Sequence, residues 1–484
     1  MSMDQSSANS LLNLPRTKLV ATVGPASREP ETLRKLIGAG VDVFRLNMAH
    51  ADLTVHQESV DRIRAASQAC QRTVGILVDL AGPKIRLGQL HTDPLELHTG
   101  DSIDFVRGDK PANARELTCG YAPLLDEVQI GDEIALADGI ARLTVVSKTA
   151  DRATCRVVDS GTIRSRQGVN LPGTKLSVPA LLPADRRNAE WASKAGIDYI
   201  SLSFVRNPDE VRELKTMVRA AGSSAQIVAK IEKREALDNL ESICAEADAV
   251  MVARGDLGVE IAIEKTPLAQ KRIIRTCLQL GKPVIVATQM LESMHHSKQP
   301  TRAEVSDVAN AILDGADACM LSGETAIGEF PVDSVRMMKK IMGETEQMLR
   351  NRSSRMSSKE SESGWSVLDS VMLGAAQIAR RLDARMVVFA SSTPDAALVK
   401  SKQRDFVPTV CLSDNEKAAQ QMSLYWGIIP LQASQKFGYG ELPRFVINWA
   451  KQQAKIDRGE RIVIVMDNEF LPDVHDTVMV VEID

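Results

Sequence analysis

The charged residues at the ends of short β-branched runs are the first candidates for chemistry. One such run, Gln226–Glu232, ends in Lys230-Ile231-Glu232. Side chains alternate between the two faces of a strand, so Lys230 and Glu232 are expected on the same face. A cation beside a carboxylate at a strand end forms either a structural ion pair or part of a functional site. This spacing alone leaves both interpretations open.

A second candidate segment is Ala253-Arg254-Gly255-Asp256-Leu257-Gly258, at the end of the next run. Gly255 allows close approach of the backbone, and a short helix starting here would offer N–H groups to an anion. A tight turn with Asp256 as its N-cap is the equally supported alternative. If the two runs are neighbouring strands, Glu232 and Asp256 suit a divalent metal bound through few carboxylates. Water and substrate oxygens would complete its shell, as is typical of Mg²⁺.

Polar residues also end other runs, namely Arg45 and Asn47, Thr288, and Ser322. Arg45 offers a planar fork for a phosphate or a carboxylate. His50 lies close to the end of a run, and an exposed loop position is its equally supported alternative. Together these residues predict a cationic, metal-binding site with few candidate general bases.

The motifs that the sequence lacks narrow the class of enzyme. It contains no Gly-x-x-x-x-Gly-Lys-[Ser/Thr] motif and no His-Arg-Asp or Asp-Phe-Gly set. P-loop and protein-kinase chemistry are therefore excluded. Any phosphoryl transfer would depend on a metal, Lys and Arg, because positioning and electrostatic stabilisation are most of what that reaction requires.

The elements that must position these residues alternate between strand and helix. Most of the runs are solidly apolar, as strands buried on both faces should be. Eight β–α units in series indicate an α/β fold with a (β/α)8 TIM barrel, whose sites lie at the C-terminal strand ends. The eight runs are Thr17–Val23, Val41–Leu46, Val74–Asp79, Asp198–Phe204, Gln226–Glu232, Asp248–Val252, Pro283–Thr288 and Asp317–Leu321.

The barrel rhythm breaks between Gly88 and Pro172, where short strands alternate with turn signals. This segment predicts an inserted β-domain on the catalytic face, that is, a lid. A polar linker and a smaller β–α alternation follow the barrel. The predicted divisions are an N-terminal segment 1–15, a first barrel segment at 16–87, the lid at 88–172, a second barrel segment at 173–349, the linker at 350–364 and a C-terminal α/β domain at 365–484.

Composition excludes several classes of partner. The 484 residues include 59 Lys+Arg and 63 Asp+Glu, a net charge of −4, which argues against general affinity for nucleic acid or anionic membrane. No apolar run approaches the length of a membrane helix, and no secretory signal is expected. The seven cysteines are scattered and form no C-x-x-C, so we expect reduced thiols in a cytoplasmic protein.

Several long motifs make the sequence resemble pyruvate kinase, over a stretch from about Arg16 to the end. The lid and the C-terminal domain match less closely than the barrel. The motifs that carry the resemblance are Gly24-Pro25-Ala26-Ser27, Gly168-Val169-Asn170-Leu171-Pro172-Gly173, Lys230-Ile231-Glu232, 251–260 (MVARGDLGVE), 287–294 (ATQMLESM), 300–304 (PTRAE) and 320–326 (MLSGETA).

This resemblance implies transfer of the phosphoryl group of phosphoenolpyruvate to ADP, giving pyruvate and ATP in glycolysis. By position, Glu232 and Asp256 would hold Mg²⁺, with Mn²⁺ as an alternative, and Lys230 would neutralise the phosphoryl group in transfer. It also implies a homotetramer. The remaining roles would be phosphate binding by Arg45, binding of the substrate carboxylate by Gly255, Asp256 and Thr288, a route for the proton past Thr288 or through Ser322, and nucleotide binding by Asn47, His50 and Arg86.

The sequence departs from the family pattern near the monovalent-cation site. Ala49 stands where the family usually has a Ser ligand, and Lys84 stands where K⁺-dependent relatives carry Glu. Lys84 could place a positive charge near Asp79 and replace the missing ion, so we expect that K⁺ is not required. A solvent-facing Lys84 is the alternative. In the family a basic residue, usually Lys, precedes the motif that begins at Gly168, but in this sequence that position is Gln167.

A second departure lies in the loop after the first strand of the C-terminal domain. In relatives controlled by a sugar bisphosphate this loop is a phosphate cradle rich in Ser, Thr and Gly. Here it contains Pro394, which lacks an N–H donor, and Asp395, whose carboxylate repels phosphate. We therefore expect little activation by fructose 1,6-bisphosphate through this loop.

Two other functions remain in competition at this point. One is a catalytically degenerate sensor of phosphorylated metabolites, against which the joint presence of Lys230, Glu232, Asp256 and Thr288 argues. The other is a different Mg²⁺ barrel that performs carbon–carbon chemistry on phosphoenolpyruvate or oxaloacetate. Dependence on ADP discriminates between that enzyme and a kinase.

Overall fold

The chain enters the barrel through three parallel strands, β1 (Lys18–Thr22), β2 (Val43–Asn47) and β3 (Gly75–Asp79). They alternate with helices α1 (Pro30–Ala39) and α2 (Leu53–Ala69). Asp52 starts α2, because its carboxylate accepts hydrogen bonds from two backbone N–H groups of the first turn. The computed structural model describes residues 12–353, 366–433, 441–454, 456–466 and 477–484. Most of the N-terminal segment thus lies outside the described residues.

After β3 the chain forms the inserted β-domain, with its own hydrophobic core around Phe105 and Leu143. Six strands form one sheet in the order β11-β7-β8-β9-β5-β6, and β4 pairs with β10. The sequence predicts five of these strands, at Leu95–His98, Ser102–Val106, Glu133–Ala137, Arg142–Val146 and Thr154–Val158, and misses β6, β10 and β11, which are two or three residues long. The elements are β4 (Leu95–Leu97), β5 (Ser102–Val106), β6 (Glu116–Leu117), α3 (Leu124–Glu127), β7 (Glu133–Leu136), β8 (Ala141–Lys148), β9 (Arg152–Asp159), β10 (Gly161–Ile163) and β11 (Val169–Asn170).

Five further strands complete the barrel, which closes in the order β1-β2-β3-β12-β13-β14-β15-β16. These eight strands are the eight predicted runs, with ends shifted by at most two residues. The strands are β12 (Tyr199–Leu202), β13 (Gln226–Ile231), β14 (Ala249–Ala253), β15 (Val284–Ala287) and β16 (Ala318–Leu321). The helices are α4 (Pro183–Lys194), α5 (Pro208–Ala220), α6 (Arg234–Asp238), α7 (Leu240–Glu246), α8 (Arg254–Glu260), α9 (Thr266–Gln279), α10 (Arg302–Asp314), α11 (Gly323–Ala326) and α12 (Pro331–Ser353), with 3₁₀ turns at Ile263–Lys265 and Glu292–His295.

An aspartate directly precedes each of four alternate barrel strands. Asp42, Asp198, Asp248 and Asp317 each accept a hydrogen bond from a backbone N–H of the neighbouring strand, at 2.6–2.9 Å. The unpaired N–H groups at this end of the barrel are thereby satisfied. Cations of the C-terminal domain also bind there: Lys417 pairs with Asp198 and Lys402 with Asp317.

The C-terminal domain is an open sheet in the order β19-β18-β17-β20-β21, in which only β21 is antiparallel. The linker predicted at 350–364 lies outside the described residues from 354 onward, and α12 continues to Ser353, four residues beyond the predicted end of the second barrel segment. Within the described ranges, no helix combines the length and apolarity needed to cross a membrane. The elements are α13 (Val367–Arg381), β17 (Met386–Ala390), α14 (Asp395–Lys402), β18 (Thr409–Ser413), α15 (Glu416–Gln421), a 3₁₀ turn (Met422–Leu424), β19 (Ile428–Gln432), α16 (Glu441–Trp449), a π turn (Ala450–Ala454), β20 (Arg461–Met466) and β21 (Thr477–Glu482).

Candidate active site

Lys230 lies at the C-terminal end of β13, where its ammonium meets two carboxylates. Its Nζ is 2.9 Å from Glu232 Oε1 and 3.3 Å from Asp79 Oδ1, and it donates a hydrogen bond to Ser203 Oγ at 2.8 Å. Burial alone would lower the pKa of Lys230, but the two carboxylates more than offset burial and raise it. Lys230 is therefore a fixed cation at the barrel mouth, the ring of C-terminal strand ends.

Asp79, at the end of β3, joins this lysine to Arg45. Its Oδ2 accepts from Arg45 Nε at 2.8 Å and lies 2.5 Å from the second guanidinium nitrogen, while Oδ1 accepts from Ser201 Oγ. Burial acts to raise the pKa of Asp79, but Lys230 and Arg45 lower it to about 2. Asp79 thus positions two cations at the mouth, a role that the sequence did not predict for it.

The two predicted metal ligands occupy neighbouring strand ends. The Glu232 side chain is 1% exposed, and its Oε2 accepts from Phe204 N at 2.7 Å. Burial raises the pKa of Glu232, Lys230 opposes that rise, and the nearby Asp256 carboxylate adds to it. Asp256 lies in the first turn of α8, whose N-cap is Ala253 without a side-chain hydrogen bond, so the alternative of an N-capping Asp256 is wrong.

These two carboxylates fit Mg²⁺ because the Asp256 carboxylate disfavours the charge of Glu232, which a shared cation would relieve. Among the described residues, no group of three or more His, Cys, Asp or Glu side chains could form a closed metal cage. A metal here would thus keep positions open for water and substrate.

Thr288 lies beside Gly255, at the end of β15. Gly255 N donates to Thr288 Oγ1 at 2.9 Å, and that hydroxyl donates to Ala287 O at 2.6 Å. Thr288 and Gln289 have φ of +70° and +53°, the left-handed region that non-glycine residues seldom adopt. Such backbone strain persists only where the surrounding structure imposes it, and strained residues of this kind cluster at functional sites.

Arg254 is a site residue that the sequence reasoning missed. Its guanidinium donates to Thr288 O at 2.7 Å and pairs with Asp307 at 2.6 Å, so it supports the strained backbone. The sequence shows a charged residue next to Gly255, but it does not show that this residue donates a hydrogen bond to the backbone carbonyl of Thr288.

Ser322 is held by Glu324, a second residue that was missed. Ser322 N donates to Glu324 Oε2 at 2.7 Å, and Leu291 N donates to Oε1 at 3.1 Å. Glu324 is buried and connects the ends of β15 and β16 through backbone groups, which single-sequence reading does not reveal.

Of the three predicted nucleotide residues, Asn47 lies opposite Asp79 in the ladder between β2 and β3, and His50 and Arg86 lie on the segments that follow these two strands. Asn47 ends β2 and accepts from Ala49 N at 3.1 Å. His50 is exposed, and its carbonyl oxygen is 2.8 Å from His56 Nε2. Arg86 is exposed, pairs with Gly168 in an isolated bridge and donates to Arg166 O. None of the three has a hydrogen bond or ion pair to Lys230 or Glu232 within the described part of the chain.

The sequence predicted that Lys84 lies near Asp79, but the two residues are not paired in the structure. The Lys84 ammonium lies 3.9 Å from Asp138 of the lid, and its side chain is 36% exposed. Asp79 is instead occupied by Arg45 and Lys230, which are fixed by barrel strands, whereas Lys84 follows the strand on a loop. Lys84 nevertheless lines the cleft between lid and barrel that also contains Asp256 and Asn170.

Two family models together match most of the chain. Residues 14–335 match the family described as "Pyruvate kinase, barrel domain", and residues 369–481 match "Pyruvate kinase, alpha/beta domain". The sequence is 41% identical over 453 residues to "Pyruvate kinase 2" of Synechocystis sp., covering 93% of this chain and 76% of that protein. It is 40% identical over 456 residues to a "Pyruvate kinase" of Agrobacterium vitis, covering 94% and 95%.

The fold is similar to the crystal structure of a pyruvate kinase from Cryptosporidium parvum. The TM-score is 0.89 with 33% sequence identity, and the match covers 100% of both chains.

Proposed function

Because this chain belongs to the pyruvate kinase family of phosphotransferases, we propose that it transfers the phosphoryl group of phosphoenolpyruvate to ADP in a Mg²⁺-dependent reaction. The observation that carries the proposal is the cluster in which Lys230 and Arg45 share Asp79 beside the carboxylate of Glu232. Two fixed cations next to a carboxylate pair suit the binding and transfer of a phosphoryl group.

Lys230 stabilises the charge that spreads over the phosphoryl oxygens during transfer. Its ammonium is held by Asp79, Glu232 and Ser203, so it need not reorganise as the reaction proceeds. Arg45 is held through Nε and one terminal nitrogen by Asp79 and through the other terminal nitrogen by Thr22 Oγ1, and its remaining N–H groups bind the phosphate from the side of β2. Both side chains are therefore preorganised before the substrate arrives.

Glu232 and Asp256 would hold the Mg²⁺, with Mn²⁺ as a substitute. When bound, the ion supplies positive charge to the oxygens of the substrate and the phosphoryl group. Glu232 keeps its second oxygen on Phe204 N, which fixes the orientation of the carboxylate.

Gly255, Asp256 and Thr288 take the carboxylate end of phosphoenolpyruvate. The Gly255–Thr288 hydrogen bond keeps this side of the mouth rigid. Enolpyruvate is protonated on the face near Thr288, either past that hydroxyl or through water held at Ser322.

Asn47, His50 and Arg86 bind the nucleotide on the lid side of the mouth. Ala49 offers no side-chain oxygen to a monovalent cation, and the charge of Asp79 is already balanced by Arg45 and Lys230. The reaction therefore proceeds without K⁺. We further propose a cytoplasmic homotetramer, as family membership implies.

A coupled assay for pyruvate formation tests the proposed function. We expect pyruvate to appear only when phosphoenolpyruvate, ADP and Mg²⁺ are all present. A protein that binds phosphoenolpyruvate but forms no pyruvate is a sensor, and pyruvate formation independent of ADP indicates carbon–carbon or hydrolytic chemistry. Either result would refute the proposal.

A further inference from the structure

A buried ion pair next to the active site plays no part in the reaction described above. Lys233 Nζ lies 2.5 Å from Glu260 Oε1, and the two side chains are 10% and 1% exposed. Taking two charges out of water is costly, and a buried pair stabilises a fold only weakly. The contribution of this pair to the stability of the fold therefore does not explain its presence. Its position relative to the active site suggests another role.

The pair joins the two elements that carry the candidate metal ligands. Lys233 directly follows Glu232 and is the N-cap of α6. Glu260 is the last residue of α8, one turn after Asp256, so both carboxylates lie on the same face of that helix. A contact between Lys233 and Glu260 therefore connects the strand end that holds Glu232 with the helix that holds Asp256.

The electrostatics explain why Glu260 needs this lysine. Burial raises the pKa of Glu260 to about 7, Lys233 opposes that rise, and Asp256 contributes to it. Without the ammonium, Glu260 would take up a proton and would lose its ionic contact with the strand end that holds Glu232. Glu260 Oε2 has no hydrogen-bond partner within the described residues, so Lys233 is the contact that fixes the carboxylate.

We propose that the Lys233–Glu260 ion pair is a positioning element, which fixes Asp256 relative to Glu232 and thereby sets the affinity for the divalent metal. This inference rests on the proposed function, since it takes Glu232 and Asp256 as the metal ligands. Lys233 and Glu260 act through those residues and are not catalytic residues themselves.

The test measures Mn²⁺ binding to the full chain by the loss of the free-ion electron paramagnetic resonance signal, without substrate. Changing residues that orient metal ligands typically weakens metal binding 10–100-fold. We expect Lys233→Met to raise the Kd for Mn²⁺ by about that factor and Glu260→Gln to raise it about tenfold. Lys233→Arg, which keeps the charge, should restore most of the affinity.

Lys400→Met is the matched control, because Lys400 and Asp405 form a similarly buried ion pair in the C-terminal domain. It should lose stability like Lys233→Met but keep the wild-type Kd for Mn²⁺. If Lys233→Met does not fold, Glu260→Gln decides the question. A Kd within twofold of wild type in the folded variant would overturn the inference.

Asp256→Asn separates this inference from the proposed function. If the wild type binds Mn²⁺ and Asp256→Asn binds it equally well, the ligand assignment is wrong. If Asp256→Asn loses binding while the Lys233 and Glu260 variants keep it, only the positioning role fails.

Discussion

The ammonium of Lys230 lies 3.3 Å from the carboxylate of Asp79, although the two residues end strands that are separated by β12 in the barrel. Ser201 of β12 donates to the same carboxylate, so the intervening strand completes the contact. Lys230 thus holds both Asp79 and Glu232, and its removal should affect catalysis and stability separately.

Lys230→Met should lower turnover by about 10²–10³-fold, because one preorganised charge contact of this kind is lost. The affinity for phosphoenolpyruvate should fall far less, since the ammonium acts mainly on transition-state charge. Steady-state kinetics of pyruvate formation measure both. A variant that retained more than about a tenth of wild-type turnover would rule out this role for Lys230.

The same variant should be less stable by about 3–5 kcal/mol, because Glu232 and Asp79 lose a buried partner. Lys402→Met is the control, since Lys402 pairs with buried Asp317 at the opposite end of the barrel. It should lose stability and keep its turnover. Thermal unfolding of both variants, followed beside the kinetics, separates the two effects.

The barrel and the same-face placement of Lys230 and Glu232 were predictable, because strand periodicity and the order of strand ends are local properties of the sequence. The partners of Asp79 were not, since Arg45 and Lys230 reach it from strands far apart in the sequence. Lys84 was misplaced for a different reason: its family position, where K⁺-dependent relatives carry Glu, suggested a place near Asp79, but its ammonium lies 3.9 Å from Asp138 of the lid. The supports of Thr288 and Ser322 involve backbone carbonyl and N–H groups, which leave no signature in residue types.

Asp42 should contribute stability that is lost in acid. Burial would raise its pKa, but Lys339, Lys18 and Arg72 together lower it to about 2 from an ordinary 3.8. Because the folded pKa lies below the unfolded one, this contribution is complete above about pH 4 and disappears as the pH falls toward 2. At 1.36 kcal/mol per pKa unit the amount is about 2 kcal/mol.

Asp42→Asn should therefore be destabilised at pH 6, and its deficit relative to wild type should shrink between pH 4 and pH 2. Urea unfolding midpoints at several pH values measure this difference. Comparison with wild type at each pH removes the contribution of Asp79, which titrates in the same range. A deficit that stayed constant down to pH 2 would show that Asp42 is not paired as described.

Fructose 1,6-bisphosphate should not activate the enzyme through the loop at 390–396. Ser392 Oγ already donates to Asp414 at 2.6 Å, and Asp395 begins α14 directly after Pro394. The two carboxylates disfavour a phosphate there. Rates measured across a range of the bisphosphate should stay flat, and activation that is lost on mutating Ser392 and Thr393 would contradict this prediction. Saturable activation that Asp395→Ala leaves unchanged would place the effector elsewhere.

The enzyme should be fully active without K⁺ when Mg²⁺ is present. Ala49 has no side-chain oxygen for the ion, Asp79 already carries two protein cations, and Lys84 adds positive charge to the cleft from the lid side. A further cation would meet repulsion and too few ligands. Rates in tetramethylammonium and in K⁺ at matched ionic strength should agree, whereas stimulation by K⁺ of more than tenfold would refute the prediction.

Lys84→Glu should depress the rate measured without K⁺. Added K⁺ should restore that rate fully only when Ala49→Ser is also present, because the oxygen shell of the ion must be rebuilt as well as its charge balance.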